Sequence, residues 1–200
     1  MRPFSWVTLL LVGCHAAAPV APAGGLDVRV QLSTATPSSG VAIASAQLQL
    51  SALTAVSDRA SHDARAGASD VELMLGGERD VPLPSAPPGL YSAVDAMLGH
   101  FQNVGLDVQA VWRSVRVHAS LANVPFSVGC PTPVQLAPGR HARLTLRADP
   151  SGWFDGLDLT TVKSDPDDAG INISADDNRD LATLLEANVI ASFVLDCAAQ

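Results

Sequence analysis

Apolar and polar residues alternate along several segments of this 200-residue chain, and this period of two constrains the fold more than any other feature. The alternating segments are residues 26–32, 46–52, 111–121 and 142–148. Successive side chains of a strand point to opposite faces, so each segment predicts a strand with one buried and one solvated face. The alternation changes phase around Ala110–Val111, which predicts a bulge or turn at that point.

One segment near the C terminus has the spacing of a helix. Asp177 can cap its N terminus, Asp180 lies in its first turn, and Leu181, Leu184 and Leu185 form an apolar stripe. The sequence therefore predicts a short amphipathic helix close to the end of the chain.

The remaining segments complete the expected architecture. Residues 189–195 are apolar on both faces and predict a central strand, whereas residues 55–69 are polar without a period and predict a loop. Turns rich in glycine and proline separate the strands. The expected fold class is mainly β: an antiparallel β-sandwich with one short C-terminal helix before the last strand.

The charge balance argues against some partners. The chain has 12 basic and 20 acidic residues, a net charge of −8, and no basic stripe. Phosphate backbones are gripped by clustered Lys and Arg, so we expect no nucleic-acid partner. Anionic membrane surfaces would repel such a chain too, so any membrane attachment is expected to depend on a covalent lipid.

The N terminus carries an export signal. Met1-Arg2-Pro3 is a short positive segment, and Phe4–Val12 is an apolar run of signal-peptide length, too short to span the ~30 Å hydrocarbon core. Leu11-Val12-Gly13-Cys14 closely resembles the lipobox of bacterial lipoproteins. The alternative is an ordinary secretory signal in which Cys14 merely lies near the cut.

The lipobox resemblance implies an address and a domain plan. In that family the cysteine thiol receives a diacylglyceryl group, the peptide is cut before it, and the new amino terminus is acylated. Residues 1–13 would then be the signal peptide, residues 14–25 the lipidated Cys14 and a flexible tether, and residues 26–200 a single domain. The expected location is the cell envelope, with the lipid in the outer membrane at its periplasmic face or at the cell surface.

The layout of the mature chain also resembles a group of uncharacterised exported bacterial lipoproteins with sandwich domains. The similar segments are residues 41–53, 88–91, 138–149 and 149–155, with the helix and strand that end at Asp196. This resemblance implies a fold and an address, and the group has no agreed activity to carry over.

Two cysteines remain once Cys14 is lipidated. An even number of cysteines in an exported protein predicts a disulfide, here between Cys130 and Cys197. Two separate buried thiols are the alternative. The sequence has no CxxC motif, which would have suggested a metal or redox site.

An acidic segment partly matches a calcium-binding loop. With Asp165 as the first ligand, Asp167 is third, Gly170 sixth and Asp176 twelfth. Ala169 occupies the fifth position, however, and the twelfth residue is Asp rather than Glu. Solvated loop and helix-capping acids are the preferred interpretation, and weak calcium binding is the alternative; no other cofactor is expected.

Candidate catalytic groups are few. Asp149, Asp155 and Asp158 surround Trp153-Phe154 and could form a glycosidase-like carboxylate pair. The preferred interpretation is that the two aromatic residues fill a corner of the sandwich while the aspartates form turns.

Histidines offer a second, weaker candidate. His118 and His141 both lie on the polar faces of predicted strands and could meet across neighbouring strands in a metal site. Surface histidines without a ligand are the preferred interpretation.

No sequence motif for a hydrolase, zincin or nucleotide-binding loop occurs. The sequence therefore predicts a lipid-anchored, non-enzymatic binding or scaffold module of unknown ligand, with a protein or glycan partner left open. A calcium- or carbohydrate-binding surface domain is the alternative, although aromatic residues make up only 4% of the chain. A hydrolase is the third possibility.

Overall fold

The structure is a computed structural model that describes residues 25–37, 39–67, 70–99, 104–162 and 170–199. Within these ranges the chain forms short 3₁₀ turns at Ala60–His62 and Pro150–Gly152, one α-helix and twelve strands. In chain order the elements are β1 Gly25–Leu32, β2 Val41–Ser57, β3 Ala64–Arg65, β4 Val71–Met74, β5 Glu78–Leu83, β6 Gly89–Leu98, β7 Leu106–Trp112, β8 Val115–Leu121, β9 Val124–Leu136, β10 His141–Ala148, β11 Ile171–Ile173, α1 Arg179–Ala191 and β12 Phe193–Ala199.

The strands form two sheets that pack together like a sandwich. The smaller sheet has the order β12-β10-β1-β5, and the larger follows β11-β8-β7-β2-β6-β9, with β3 and β4 also paired to β2. Most pairs are antiparallel, while β1 pairs β10 and β11 pairs β8 in parallel. The predicted fold class is therefore confirmed: mainly β, with one helix before the last strand.

The alternating segments at residues 26–32 and 142–148 bury the predicted faces. In β1 the side chains of Leu26, Val28, Val30 and Leu32 are at most 1% exposed, and β10 buries its alternate residues in the same way. The polar residues of β1 pair across the outer face, where Arg29 forms an ion pair with Asp80 at 2.8 Å. Burial of the inner faces creates the core between the two sheets.

Strand β2 is long because it carries two partners along one edge. Its first half pairs β7 and its second half β6, and the register shifts between Ser51 and Thr54. Ala52 in this bulge has φ 53° and is exposed, and Ser51 is buried in its place, where its hydroxyl donates to the carbonyl of Gly99. The predicted inward position of Ala52 was therefore wrong.

The phase change expected at Ala110–Val111 falls slightly later in the chain. Strand β7 runs unbroken to Trp112, and Arg113 and Ser114 form the two-residue turn into β8 with φ of 47° and 71°. Two consecutive positive φ angles are typical of a type I′ hairpin turn. Trp112 and Val115 pair across this turn, so the buried positions change from even-numbered residues in β7 to odd-numbered residues in β8. Val111, which the sequence placed on the apolar face, is 41% exposed, so that placement was wrong.

Residues 55–69 are not the predicted loop throughout. Strand β2 continues to Ser57, and the 3₁₀ turn and the two-residue strand β3 follow. Ala55 and Ala64 pair with each other and are buried. The sequence did not reveal β3 and its pairing with β2, because the segment is mostly polar and only Ala55 and Ala64 of the paired residues face the core.

The C-terminal helix exists, but its boundaries differ from the prediction. It begins after Asn178, whose φ is 55° and whose side chain makes no capping hydrogen bond, so Asp177 is not the cap. The helix buries Ala182, Leu185 and Val189, and it continues to Ala191. The predicted start of the strand at residues 189–195 was therefore wrong, because residues 189–191 are helical and β12 begins at Phe193.

Strand β12 is an edge strand rather than the predicted central one. It pairs only with β10 in the smaller sheet, and Val194 on its outer face is 52% exposed. Cys197 on β12 is joined by a disulfide to Cys130 on β9, with Cα atoms 5.9 Å apart. Because β9 is the edge of the larger sheet, this bond links the two sheets, and it is compatible with the disulfide expected from the sequence.

Candidate functional site

The predicted ligand residues are mostly outside the described part of the chain. Cys14, Asp165 and Asp167 all lie there. Asp176 is described: it is exposed, and its backbone N–H donates to Ser174 Oγ at 3.3 Å. Among the described residues, no group of three or more His, Cys, Asp or Glu side chains is arranged to hold a metal ion.

The residues of the glycosidase-like constellation have structural roles. Trp153 is fully buried and Phe154 is 2% exposed, so both pack into the core, as the preferred interpretation requires. Asp149 accepts a hydrogen bond from the backbone of Ser151, and Asp158 accepts from that of Thr160, each at 3.0 Å.

Asp155, the third carboxylate of that constellation, also has a partner. It accepts a 2.5 Å hydrogen bond from Ser39 Oγ. All three carboxylates thus hold turns or join loops.

The two strand histidines do not meet. His118 is on β8 of the larger sheet, where its Nε2 lies 2.9 Å from Asp107 Oδ2, while His141 is on β10 of the smaller sheet. The proposed two-histidine site was therefore wrong, because the two strands belong to different sheets.

The described residues form several surface clefts with volumes between about 270 and 500 Å³, among them the two that follow. The larger, about 500 Å³, lies between α1 and the end of β8 and carries charged residues of both signs, among them Arg179 and Glu186. The smaller, about 300 Å³, lies at the opposite end of β2 from the type I′ turn. The smaller cleft has the more specific polar geometry, and we take it as the candidate site.

This cleft, called the Gly89 pocket below, is built where three strands end. Strand β2 ends at Ser57, β6 begins at Gly89, and β9 ends at Leu136 beside the turn that precedes β10. Its lining residues are Asp58, Arg59, His62, Pro88, Gly89, Leu90, Gln135, Leu136 and Pro138. Pairing of β6 with both neighbours brings these distant segments together.

Polar atoms converge above Gly89. A methyl group added there would lie 3.0 Å from Ser57 Oγ, 3.5 Å from His62 Nδ1 and 3.6 Å from Asp58 Oδ1. His62 Nδ1 is buried and has no hydrogen-bond partner. Three groups that can accept a hydrogen bond therefore pack closely around Gly89, and a side chain at this position would press against Ser57 Oγ.

The Asp58 carboxylate is held in its charged form. Ser57 Oγ donates to Asp58 Oδ1 at 3.0 Å, and the backbone N–H of Leu90 donates to the same oxygen at 3.4 Å. The Ser57 hydrogen bond, more than the Leu90 one, lowers the pKa of Asp58 below its ordinary value. Arg59, the next residue, places a positive charge in the same pocket.

Tyr91 links two of the segments that line the pocket. Its side chain is fully buried, and its hydroxyl lies 2.8 Å from the carbonyl oxygen of Pro87 and 3.1 Å from that of His62. Burial, together with the nearby charges of Asp63 and Asp58, raises the pKa of Tyr91 above its ordinary value. The hydroxyl thus ties the 3₁₀ turn to the start of β6.

We expect Tyr91→Phe to lower the free energy of unfolding by about 1–2 kcal/mol, because the part-buried hydrogen bond that the hydroxyl shares between the carbonyls of Pro87 and His62 is lost. Urea unfolding of the two proteins measures this difference. Thr183→Val is the matched control, since it removes an exposed hydroxyl from α1 and should change stability by less than about 0.5 kcal/mol. Equal effects of the two substitutions would show that the Tyr91 hydroxyl does not brace the pocket.

Sequence reasoning missed this pocket. Its polar groups fall in the segment interpreted as a loop, and Gly89 appeared only as part of a turn. The one available signal was the density of hydrogen-bonding side chains in Ser57-Asp58 and His62-Asp63 directly after an apolar strand.

Among the described residues, no helix has both the length and the apolar character that crossing a membrane requires. Comparison of the chain with protein-family models, curated proteins and solved structures gives no significant match.

Proposed function

We propose that this protein is a lipid-anchored lipoprotein of the bacterial cell envelope and that its folded body is a non-enzymatic binding or scaffold module. The observation that carries the proposal is Leu11-Val12-Gly13-Cys14 at the end of the apolar run Phe4–Val12. A lipid on Cys14, together with acylation of the new amino terminus, gives at least two chains, which suffice for stable anchoring.

The disulfide supports export. Structural disulfides persist in oxidising compartments and are rare in the reducing cytosol. The link between Cys130 and Cys197 joins the edges of two sheets, so it has a structural place in the fold. Such a bond is expected in an exported protein.

The described carboxylates support binding rather than catalysis. Asp149, Asp155 and Asp158 each accept a hydrogen bond from a neighbouring turn or loop. Trp153 fills the core instead of lining a cleft. The clefts beside α1 and at Gly89 both lie on the surface.

Cys14→Ser tests the anchor. We expect the wild-type protein to incorporate radioactive palmitate and to sediment with membranes, and the variant to lose the label and to appear as soluble protein or uncut precursor. The double variant Cys130→Ser/Cys197→Ser is the control, because it removes the other two cysteines together but leaves residues 11–14 intact and should keep the label. Palmitate labelling that persists in Cys14→Ser would contradict the proposal.

A further inference from the structure

We propose that a groove on the outer face of the larger sheet binds a short, acidic, extended peptide segment of a partner protein. The groove, called the β8 groove below, crosses β2, β7, β8 and β11 and has a volume of about 390 Å³. Its lining includes Ala44, Gln109, Val111, Arg116, His118 and Asn172. This inference rests on the proposed binding function and gives that function a site and a class of partner.

The side chains of the β8 groove are open to solvent. In β7 and β8 buried residues alternate with more exposed ones, and Gln109, Val111, Arg116 and His118 are all on the exposed side. Val111 is 41% exposed although it is apolar, and Ala44 on β2 is exposed as well. The groove therefore offers small apolar and polar side chains on one accessible face.

The charge of the groove is opposite to that of the whole chain. The clefts beside α1, at Gly89 and beside Glu78 each include an acidic side chain. The described residues that line the β8 groove include the cation Arg116 and no acidic residue, in a chain with 20 acidic and 12 basic residues. Asp107, a neighbour of the groove, lies 2.9 Å from His118 Nε2 and is hydrogen-bonded to it. Charge complementarity therefore favours a partner that carries carboxylates.

Arg113 adds a second cation beside the groove. It lies in the type I′ turn, two residues beyond Val111, and its guanidinium is 4.9 Å from the centre of the Trp112 ring. Arg113 forms no ion pair with any residue that the structure describes. A guanidinium that already rests on an aromatic ring loses less freedom on binding, and it can bind a carboxylate through two parallel hydrogen bonds. Arg113 and Arg116 thus present two cations to an acidic segment.

The uncharged groups and the dimensions of the groove fit an extended peptide. Neighbouring strands lie about 4.8 Å apart, so a ligand that crosses four strands spans about 14 Å, the length of about four extended residues. Gln109 is exposed, and its amide has no hydrogen-bond partner among the described residues. A side-chain amide has donors and an acceptor, so it can pair with both the C=O and the N–H of a peptide backbone. Ala44 and Val111 provide apolar contacts for the side chains of the peptide.

The groove lies far from the proposed anchor. Strand β2 has 17 residues, which extend roughly 50 Å at about 3.3 Å per residue, and the groove crosses it near its first residues. The tether enters the domain beside the Gly89 pocket at the other end of β2, where the backbone N–H of Gly25 donates to the carbonyl of Arg140. We therefore expect the groove to meet a protein in the surrounding compartment rather than the anchoring membrane.

The test uses the mature protein in detergent and the acetylated tetrapeptide amide Asp-Val-Asp-Val as the probe, with binding followed by chemical-shift changes in NMR spectra. We expect saturable changes confined to residues 41–46, 107–120 and 171–173. Asn-Val-Asn-Val has a similar shape without charge and should bind at least tenfold more weakly. No saturable binding of the acidic peptide, changes spread over the whole surface, or equal binding of the Asn peptide would overturn the proposal.

Val111→Glu places a carboxylate in the groove and should weaken binding of the acidic peptide at least tenfold. Val194→Glu is the matched control, because Val194 is an exposed strand valine that pairs with Arg147 as Val111 pairs with Arg116. It changes the net charge equally and should bind like the wild type. Equal affinities of the two variants would show that the peptide does not lie in the groove.

Arg113→Gln is a second variant, at an exposed turn position where loss of folding is not expected. It should weaken binding of the acidic peptide about tenfold and leave the weak binding of Asn-Val-Asn-Val unchanged. Arg140→Gln, an exposed arginine at the opposite end of β2, is its control and should have no effect. Unchanged affinity in Arg113→Gln would overturn the part assigned to this cation.

Two further measurements separate other occupants of the groove. Oligogalacturonate carries carboxylates but no apolar side chains, so we expect it to bind at least tenfold more weakly than the acidic peptide; tighter binding would overturn the choice of a peptide. Sedimentation should show a monomer at all concentrations, and a dimer that Val111→Glu abolishes would show that a second copy fills the groove instead of a separate partner. Failure of any of these tests leaves the Cys14 labelling result standing.

Discussion

Replacing Cys130 and Cys197 together by alanine should lower the free energy of unfolding by about 4 kcal/mol and the melting temperature by roughly 10 °C. The two cysteines are 67 residues apart in sequence, so the disulfide removes a large part of the entropy of the unfolded chain. It also holds β12 and β9, the edge strands of the two sheets, against each other. Urea unfolding of the oxidised wild type and the double variant measures the difference.

The double substitution is preferred over either single one because a lone cysteine could pair with another chain. Reduction of the wild type should reproduce the loss of stability, and the same reductant should not affect the double variant. A difference of less than about 1 kcal/mol between the oxidised wild type and the variant would show that the bond does not hold the sheets together.

The second large effect is expected at Trp153. Its side chain is fully buried, its Nε1–H donates to Ser192 Oγ at 2.9 Å, and its carbonyl accepts from Asn188 Nδ2 at 3.0 Å. Trp153→Ala should therefore cost about 3–5 kcal/mol, because a large cavity opens between α1 and the sheets. Thermal and urea unfolding monitored by circular dichroism provide the measurement.

Trp112→Ala is the matched control for Trp153. Trp112 is only half-buried at the end of β7, where the Arg113 guanidinium lies 4.9 Å from the centre of its ring. Its removal should cost about 1–2 kcal/mol, since less apolar surface returns to water. Equal losses for the two tryptophans would contradict the assignment of Trp153 to the core.

The sequence predicts the strand faces well because burial on one side of a sheet imposes a period of two. The even-numbered residues of segments 26–32 and 142–148 therefore face the core as expected. The same rule fails at Ala52, where a bulge moves the buried face of β2 from even-numbered to odd-numbered residues without leaving a signal in composition. Bulges depend on the partner strands, β6 and β7, which the local sequence does not reveal.

Boundaries near the C terminus were less predictable for a related reason. Residues 189–191 have apolar side chains that suit either a strand or a buried helix, and the packing of α1 against β8, β11 and β12 favours the helix. An apolar run also predicted a central strand, yet β12 lies at an edge where Val194 is exposed. The order of strands in a sheet is a tertiary property.

The candidate pocket could not be predicted for a similar physical reason. Ser57 and Gly89 are far apart in sequence and meet only because β2 and β6 pair. Their chemistry depends on distances across the fold, and none of these residues belongs to a known motif. The segment Leu11–Cys14 that resembles a lipobox, by contrast, is local in sequence, so the sequence alone leads to the proposal that the protein is anchored through Cys14.

Intact-mass spectrometry of the protein extracted from bacterial membranes tests this anchor most directly. The proposal predicts a chain that begins at Cys14 and carries the added mass of a diacylglyceryl group and an amide-linked acyl chain. A chain that still begins at Met1, or one that is cut nearby and carries no lipid, would contradict it.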